Sequence, residues 1–202
     1  MELLLIRHAE PIRVVDADGP ADPHLHERGV AQAQRLAQWL AEEELHAIWS
    51  SPLRRAIETA APIALVHNLP VTVDEELAEF DREANSYIPI EELKATRDPR
   101  YQLLAEGRLE EFGTADPEAF RALVILAMER VIEANPGRRA AVVCHGGVIN
   151  LYLGHVIGIE RRMFFEPAYT SISRVVASRS GVRSVQCLNE VAHLRHTGLL
   201  LS

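Results

Sequence analysis

The run Leu3-Leu4-Leu5-Ile6 passes directly into Arg7 and His8, and Pro11 then blocks any continuation. Four large aliphatic side chains in succession lack the alternation of a half-buried strand. They fit one buried on both faces, as found inside a parallel sheet. Open α/β sheets bind ligands beyond the carboxyl ends of their strands, and Arg7 and His8 stand at that edge. Taken alone, the pair fits equally well a strand that has reached solvent.

At 202 residues the chain fits one domain spanning 1–202, long enough to bury a full core. Its 29 acidic and 21 basic residues give a net charge of -8. That balance argues against nucleic acid or an anionic membrane as partner, because both need a basic face. An anionic substrate must therefore find a locally basic pocket. Cys144 and Cys187 show neither metal-ligand spacing nor a disulfide framework. Arg7 comes too early for a signal peptide, and no apolar stretch reaches transmembrane length, so a cytoplasmic location is the default. The sequence does not encode an oligomeric state; a homodimer is one option, dimers being the commonest assembly.

Residues 12–23 read as a loop, in which His24-x-His26 lacks a third metal ligand. Val30, Ala33, Leu36, Ala37 and Leu40 predict an amphipathic helix over 27–45, with Trp39 at its edge. After a short strand at 46–49, Ser51 as N-cap and Pro52 at the first position predict a helix. Arg54 and Arg55 then lie against the positive end of its dipole, at a cost of about 0.3–1 kcal/mol each. A bound anion would reverse that sign, since amide N–H groups with a guanidinium hold phosphate. Two surface arginines that tolerate the dipole fit as well.

A third strand is expected at 69–73, followed by the carboxylate-rich segment 74–81. Most of these acids belong on a solvated face, but one turned inward, its pKa raised by burial, would serve as a general acid. Spacing does not select which. Residues 82–114 are irregular, with short helices expected at 90–96 and 101–106, and are long enough to cover a site. Arg82, Lys94, Arg97 and Arg100 in or near those helices are either contacts for a second anionic group or scattered surface cations. Asp116-Pro117 opens a helix to Ala134 with Phe120, Leu123, Val124, Ala127, Met128 and Val131 as its buried stripe. Residues 140–144 form another buried strand, ended by His145-Gly146-Gly147 and a helix to Val156. The glycines allow close backbone approach to a ligand. A hairpin over 171–178 and 182–188 leaves a tail from Asn189, in which His193-x-x-His196 reads as structural.

Two histidines at strand ends, with an arginine-rich helix start between them, suit phosphoryl transfer to a histidine nitrogen. A neutral imidazole attacks phosphorus, guanidiniums and a second imidazole hold the charge, and a carboxylic acid protonates the leaving alkoxide.

The segments Leu5-Ile6-Arg7-His8-Ala9-Glu10, Ser50-Ser51-Pro52-Leu53-Arg54-Arg55-Ala56-x-x-Thr59-Ala60 and Cys144-His145-Gly146-Gly147-Val148 resemble the histidine phosphatase superfamily, the phosphoglycerate mutase-like proteins. The likeness runs over nearly the whole chain, including Leu25, Gly29, Gln32 and Ala33 and the late strand holding Ile172. It implies a three-layer α/β/α sandwich with a mostly parallel central sheet. It implies His8 as the nucleophile, Arg7 and Arg55 as phosphate ligands, and His145 with the Gly146 amide completing the pocket. The family's proton donor follows a leucine after the third strand, which matches Glu79. No metal and no organic cofactor is expected. Ala9 replaces the usual glycine, Pro11 a hydroxyl residue and Val14 an asparagine that touches phosphate, while Tyr169 departs from an Asn-x-Ser pattern. The glycolytic mutases carry longer insertions, so the resemblance favours a phosphatase acting on a small phosphorylated metabolite. A mutase and a catalytically silent phospho-ligand-binding module are the competing readings.

Overall fold

The computed structural model describes residues 1–114 and 116–200. Its strands are β1 (Glu2–Arg7), β2 (Ala47–Ser50), β3 (Val71–Val73), β4 (Arg139–Cys144), β5 (Ile172–Ala177) and β6 (Arg183–Glu190). Its helices are α1 (Glu27–Leu40), α2 (Arg54–His67), α3 (Ile90–Ala95), α4 (Pro99–Glu106), α5 (Pro117–Ala134) and α6 (Gly146–Ile157). The sheet runs β3-β2-β4-β1-β5-β6. Strands β1 to β4 are parallel, and β5 runs antiparallel to both of its neighbours.

The strand alternation sorts the core into two layers. Leu3, Leu5, Val142 and Cys144 pack with Val124, Met128, Val131, Val148 and Tyr152 of α5 and α6. Leu4, Ile6, Ala141 and Val143 pack with Leu36, Leu40, Ala56 and Ile63 of α1 and α2. The result is the three-layer α/β/α sandwich with a mostly parallel sheet. Leu3 to Ile6 are 0% exposed, and burial of each stabilises the fold by about 1.5–3 kcal/mol. The centre of the sheet is therefore its most solvent-excluded part, and both strand-end histidines are carried there, by β1 and β4.

Helix ends depart from the sequence pattern for local reasons. The helix expected over 27–45 stops at Leu40, and Leu45 is buried from the connection that follows. In α5 the Asp116 carboxylate caps the Glu118 and Ala119 amides as its Asp-Pro start predicts, but Leu123 is 43% exposed; Ile132 joins the buried stripe instead. The residues after Asn189 are no free tail. A 3-10 turn at Ala192–Leu194 buries His193 and Leu194, and His193 Nε2 lies 3.0 Å from Thr170 Oγ1. Gln32 ties this region to β1: its side chain accepts from the Glu10 amide and donates to the Leu199 carbonyl, both at 2.9 Å. Among the described residues no helix is long and apolar enough to cross a membrane.

Candidate active site

The end of β1 is fixed through its backbone. The His8 amide donates to the Cys144 carbonyl at 2.9 Å, continuing the pairing with β4. The Ala9 amide donates to Thr59 Oγ1 at 2.9 Å, and that hydroxyl donates to the Arg55 carbonyl at 2.6 Å. One side chain thus ties the His8 segment to the first turn of α2. His8 Nδ1 lies 2.8 Å from the Ala9 carbonyl. A carbonyl only accepts, so Nδ1 carries the hydrogen and Nε2 keeps a free lone pair. Burial, and then the charges of Arg55 and Arg7, hold this imidazole well below its usual pKa. It is a neutral base.

Arg7 Nη1 donates to the Pro167 carbonyl at 2.6 Å and to the Glu91 carboxylate at 2.8 Å. Its guanidinium lies 3.9 Å from the centre of the Tyr169 ring, and Tyr169 also stands 5.7 Å from the His8 ring. Arg55 is 1% exposed, with its guanidinium 4.6 Å from the Tyr87 ring centre and 3.5 Å from Asp81 Oδ1. Tyr87 is positioned by Val14, since the two residues exchange backbone hydrogen bonds of 2.8 and 2.9 Å. The Nε atoms of both arginines are buried without a partner. Guanidinium groups so placed retain capacity for an oxyanion.

The start of α2 differs from expectation. Its cap is Leu53, and the helix begins at Arg54. Ser51 Oγ accepts from the Leu53 amide at 3.2 Å, but also lies 2.7 Å from His145 Nε2. The Arg54 amide is taken by the Asp22 carboxylate at 2.8 Å. Asp22 therefore occupies the anion-seeking end of the helix, and Arg55 serves the cavity through its side chain. Arg54 turns outward to His24, whose Nδ1 meets Glu58.

His145 is fully buried, its ring 5.0 Å from that of His8. Burial, then Arg55 and His8, depress its pKa strongly. The Ser51 hydroxyl, which accepts from Leu53, still has a hydrogen to give to Nε2. The ring hydrogen then resides on Nδ1, a buried donor without a partner.

Glu79 is the inward carboxyl that spacing could not select. It is 7% exposed, and its Oε2 accepts from the Gly147 amide at 2.9 Å. Burial, reinforced by the neighbouring Asp81, pushes its pKa up to about 7. Gly147 makes the position available: a Cβ there would overlap Glu79 Oε1 and come within 2.8 Å of Phe80 Cδ1. This glycine gives room to an acid rather than to a ligand. Gly146 has open space beside it.

Arg7, His8, Arg55, Glu79 and Gly146 line one cavity, and the His145 ring adjoins that of His8. Tyr87, Ile88, Ile90 and Leu104, from the irregular segment 82–114, close one side. Sequence reasoning missed Thr59, Asp81, Tyr87 and Glu91 as supports and read Ser51 only as a cap. Thr59 belongs to the Arg54-Arg55-Ala56-x-x-Thr59-Ala60 motif, whereas Tyr87 and Glu91 belong to a stretch without periodicity. Among the described residues no three His, Cys, Asp or Glu side chains are grouped to hold a metal ion.

A free imidazole nitrogen, two guanidiniums and a carboxyl that is half-protonated near neutrality are the parts of a phosphoryl-transfer site. Residues 3–190 match the histidine phosphatase superfamily (branch 1), and the chain belongs to that family. It is similar to phosphoserine phosphatase 1 of Hydrogenobacter thermophilus, 42% identical over 46% of this chain and 45% of that protein. The chain thus spans less than half of that relative. Phosphoglycerate mutase-like protein 4 of Arabidopsis thaliana is 28% identical over 100% of this chain and 90% of its own length. Among solved structures, a phosphoserine phosphatase from Entamoeba histolytica in complex with phosphoserine superposes with a TM-score of 0.74 at 24% identity, covering 96% of this chain and 98% of that one. A putative alpha-ribazole-5'-P phosphatase from Escherichia coli also gives 0.74, at 25% identity, covering 94% and 97%.

Proposed function

We propose that this chain is a phosphoric monoester hydrolase that cleaves small phosphorylated metabolites through a phosphohistidine on His8. The observation that carries the reading is a single cavity in which an imidazole with a free Nε2, flanked by two guanidiniums, meets the buried Glu79 carboxyl. In the first step the Nε2 lone pair of His8 forms the N–P bond as the P–O bond to the alcohol breaks. Arg7, Arg55 and the Nδ1 hydrogen of His145 hold the phosphoryl oxygens. The Glu79 carboxyl gives its proton to the leaving oxygen, which an alkoxide needs in order to depart. In the second step the Glu79 carboxylate takes a proton from water, whose oxygen attacks phosphorus while the N–P bond returns its electrons to Nε2. Both steps proceed without a metal ion, and residues 82–114 cover the substrate.

The test is incubation with labelled phosphomonoesters in EDTA, followed by quenching. The wild type should carry an acid-labile, base-stable label and release phosphate over many turnovers, while His8→Ala should do neither. Full activity in His8→Ala would refute the mechanism. Transfer of the label to a second position of the product, in place of phosphate release, would identify a mutase.

A further inference from the structure

We infer that the site is built for monophosphates whose alcohol portion is apolar and carries no second anionic group. The inference deepens the phosphatase reading above and rests on it. It follows from the charge inventory of the cavity walls. Among the described residues lining the cavity the only cations are Arg7 and Arg55. Each already faces a carboxylate, Glu91 for Arg7 and Asp81 for Arg55. A bound phosphoryl dianion uses both guanidiniums, which leaves no positive charge for a carboxylate elsewhere on the substrate.

The rest of the wall points the same way. Phe80, Ile88, Ile90, Leu104 and Met163 are apolar, and the further charged groups, Asp81 and Glu166, are acidic. Glu166 is matched from outside by Lys94 at 2.9 Å and Tyr101 at 2.7 Å. Lys94 is thereby committed away from the substrate. Of the other cations singled out near this segment, Arg82 pairs with Glu75 and Arg100 with both Asp98 oxygens. Arg97 is not among the residues lining the cavity. Beyond Phe80, Asp81, Ile88 and Leu104 the site shares its wall with a larger cavity of about 550 Å³. There Arg100, held by Asp98, is set against Asp81, Glu83 and Glu111. Arg161 is exposed and borders the other side of Leu104 and Met163, where its guanidinium donates to the Ala105 carbonyl. A substrate carboxylate would give up its hydration to meet apolar or acidic surface, a cost that an alkyl group does not carry.

Initial rates of phosphate release decide the point with esters of similar leaving group: n-butyl phosphate against 3-phosphoglycerate and O-phosphoserine. We expect kcat/KM for n-butyl phosphate to exceed both by about tenfold or more. Ile88→Arg should narrow that ratio by improving 3-phosphoglycerate relative to butyl phosphate, and Arg161→Ala should leave the ratio unchanged. Calorimetric binding of n-butylphosphonate and 3-phosphonopropionate reads the same preference without turnover. Equal or better use of 3-phosphoglycerate or O-phosphoserine, or tighter binding of 3-phosphonopropionate, overturns the inference. Hydrolysis of no ester, with n-butylphosphonate still bound more tightly, overturns the phosphatase reading and leaves the wall preference standing.

Discussion

Glu79→Gln should make the protein more stable and less active, and the size of the first effect follows from the site. Burial raises the Glu79 carboxyl from 4.5 to about 7. A carboxyl with a raised folded-state pKa binds its proton more tightly in the native than in the unfolded chain. Its contribution is complete below about 4.5 and is lost as pH rises through about 7. At 1.36 kcal/mol per pH unit the interval corresponds to about 3 kcal/mol, most of it falling between pH 5 and pH 8. Glutamine carries no charge there, and its carbonyl oxygen still accepts from the Gly147 amide. In urea unfolding the variant should therefore gain about 2–3 kcal/mol relative to wild type between pH 5 and pH 8. On an alkyl phosphate the same variant should lose about 10²–10⁴-fold in kcat, and much less on p-nitrophenyl phosphate, whose leaving phenolate departs without a proton. A stability difference that is the same at both pH values would refute the burial argument. Equal losses on both esters would move the acid role to Asp81. Glu76 is unsuited to it, because its carboxylate is paired with Arg130.

Further outcomes follow from the same geometry. In wild type, kcat/KM for alkyl phosphates should fall about tenfold per pH unit above about 7, as Glu79 loses its proton. Any rising limb near pH 6 should belong to the second ionisation of the substrate's phosphate and move with it between alkyl and aryl esters, because His8 is already neutral there; pH–rate series on both esters measure the limbs. Gly147→Ala should depress alkyl phosphate turnover by about 10²-fold by displacing the acid, with near-wild-type circular dichroism and a smaller loss on p-nitrophenyl phosphate. Asn150→Leu should cost about 2–5 kcal/mol in chemical unfolding. It removes the acceptor of the Phe164 and Phe165 amides and the donor to the Gly146 and Phe165 carbonyls.

How much of this was legible in the sequence depended on whether a residue's surroundings are local. β1 and β4 are uninterrupted apolar runs, so their burial and the placement of His8 and His145 at their ends could be read directly. Asp116-Pro117 carries its own capping signal, and α5 begins where that signal places it. The start of α2 was misplaced because the Ser51 hydroxyl is engaged by a histidine 94 positions away, a demand invisible to a capping rule. Asp22, 32 positions before Arg54, then supplies the carboxylate at the helix start. Glu79 was reached through family likeness alone. Its distinction from Glu75 and Glu76 lies in the missing Cβ of Gly147, which no spacing within the acidic segment reveals. Tyr87 and Glu91 were missed for the same reason, since each owes its role to an arginine in another element.

The double burial of β1 has a consequence for how the strand finds its register. A strand with one wet face is indexed by its alternation, but Leu3, Leu4, Leu5 and Ile6 are nearly interchangeable on both sides of the sheet. A slide of two residues along β4 would exchange one aliphatic contact for another at little cost. What forbids the slide is the polar pair at the end. Drawn inward, the Arg7 guanidinium would leave Glu91 and the Pro167 carbonyl for hydrocarbon, and an unpaired buried charge costs several kcal/mol. Arg7 and His8 thus act as the index mark against which the central strand is set. Replacing both with apolar residues would blur the alignment of the sheet, whereas a His8 substitution that keeps Arg7 leaves the mark in place.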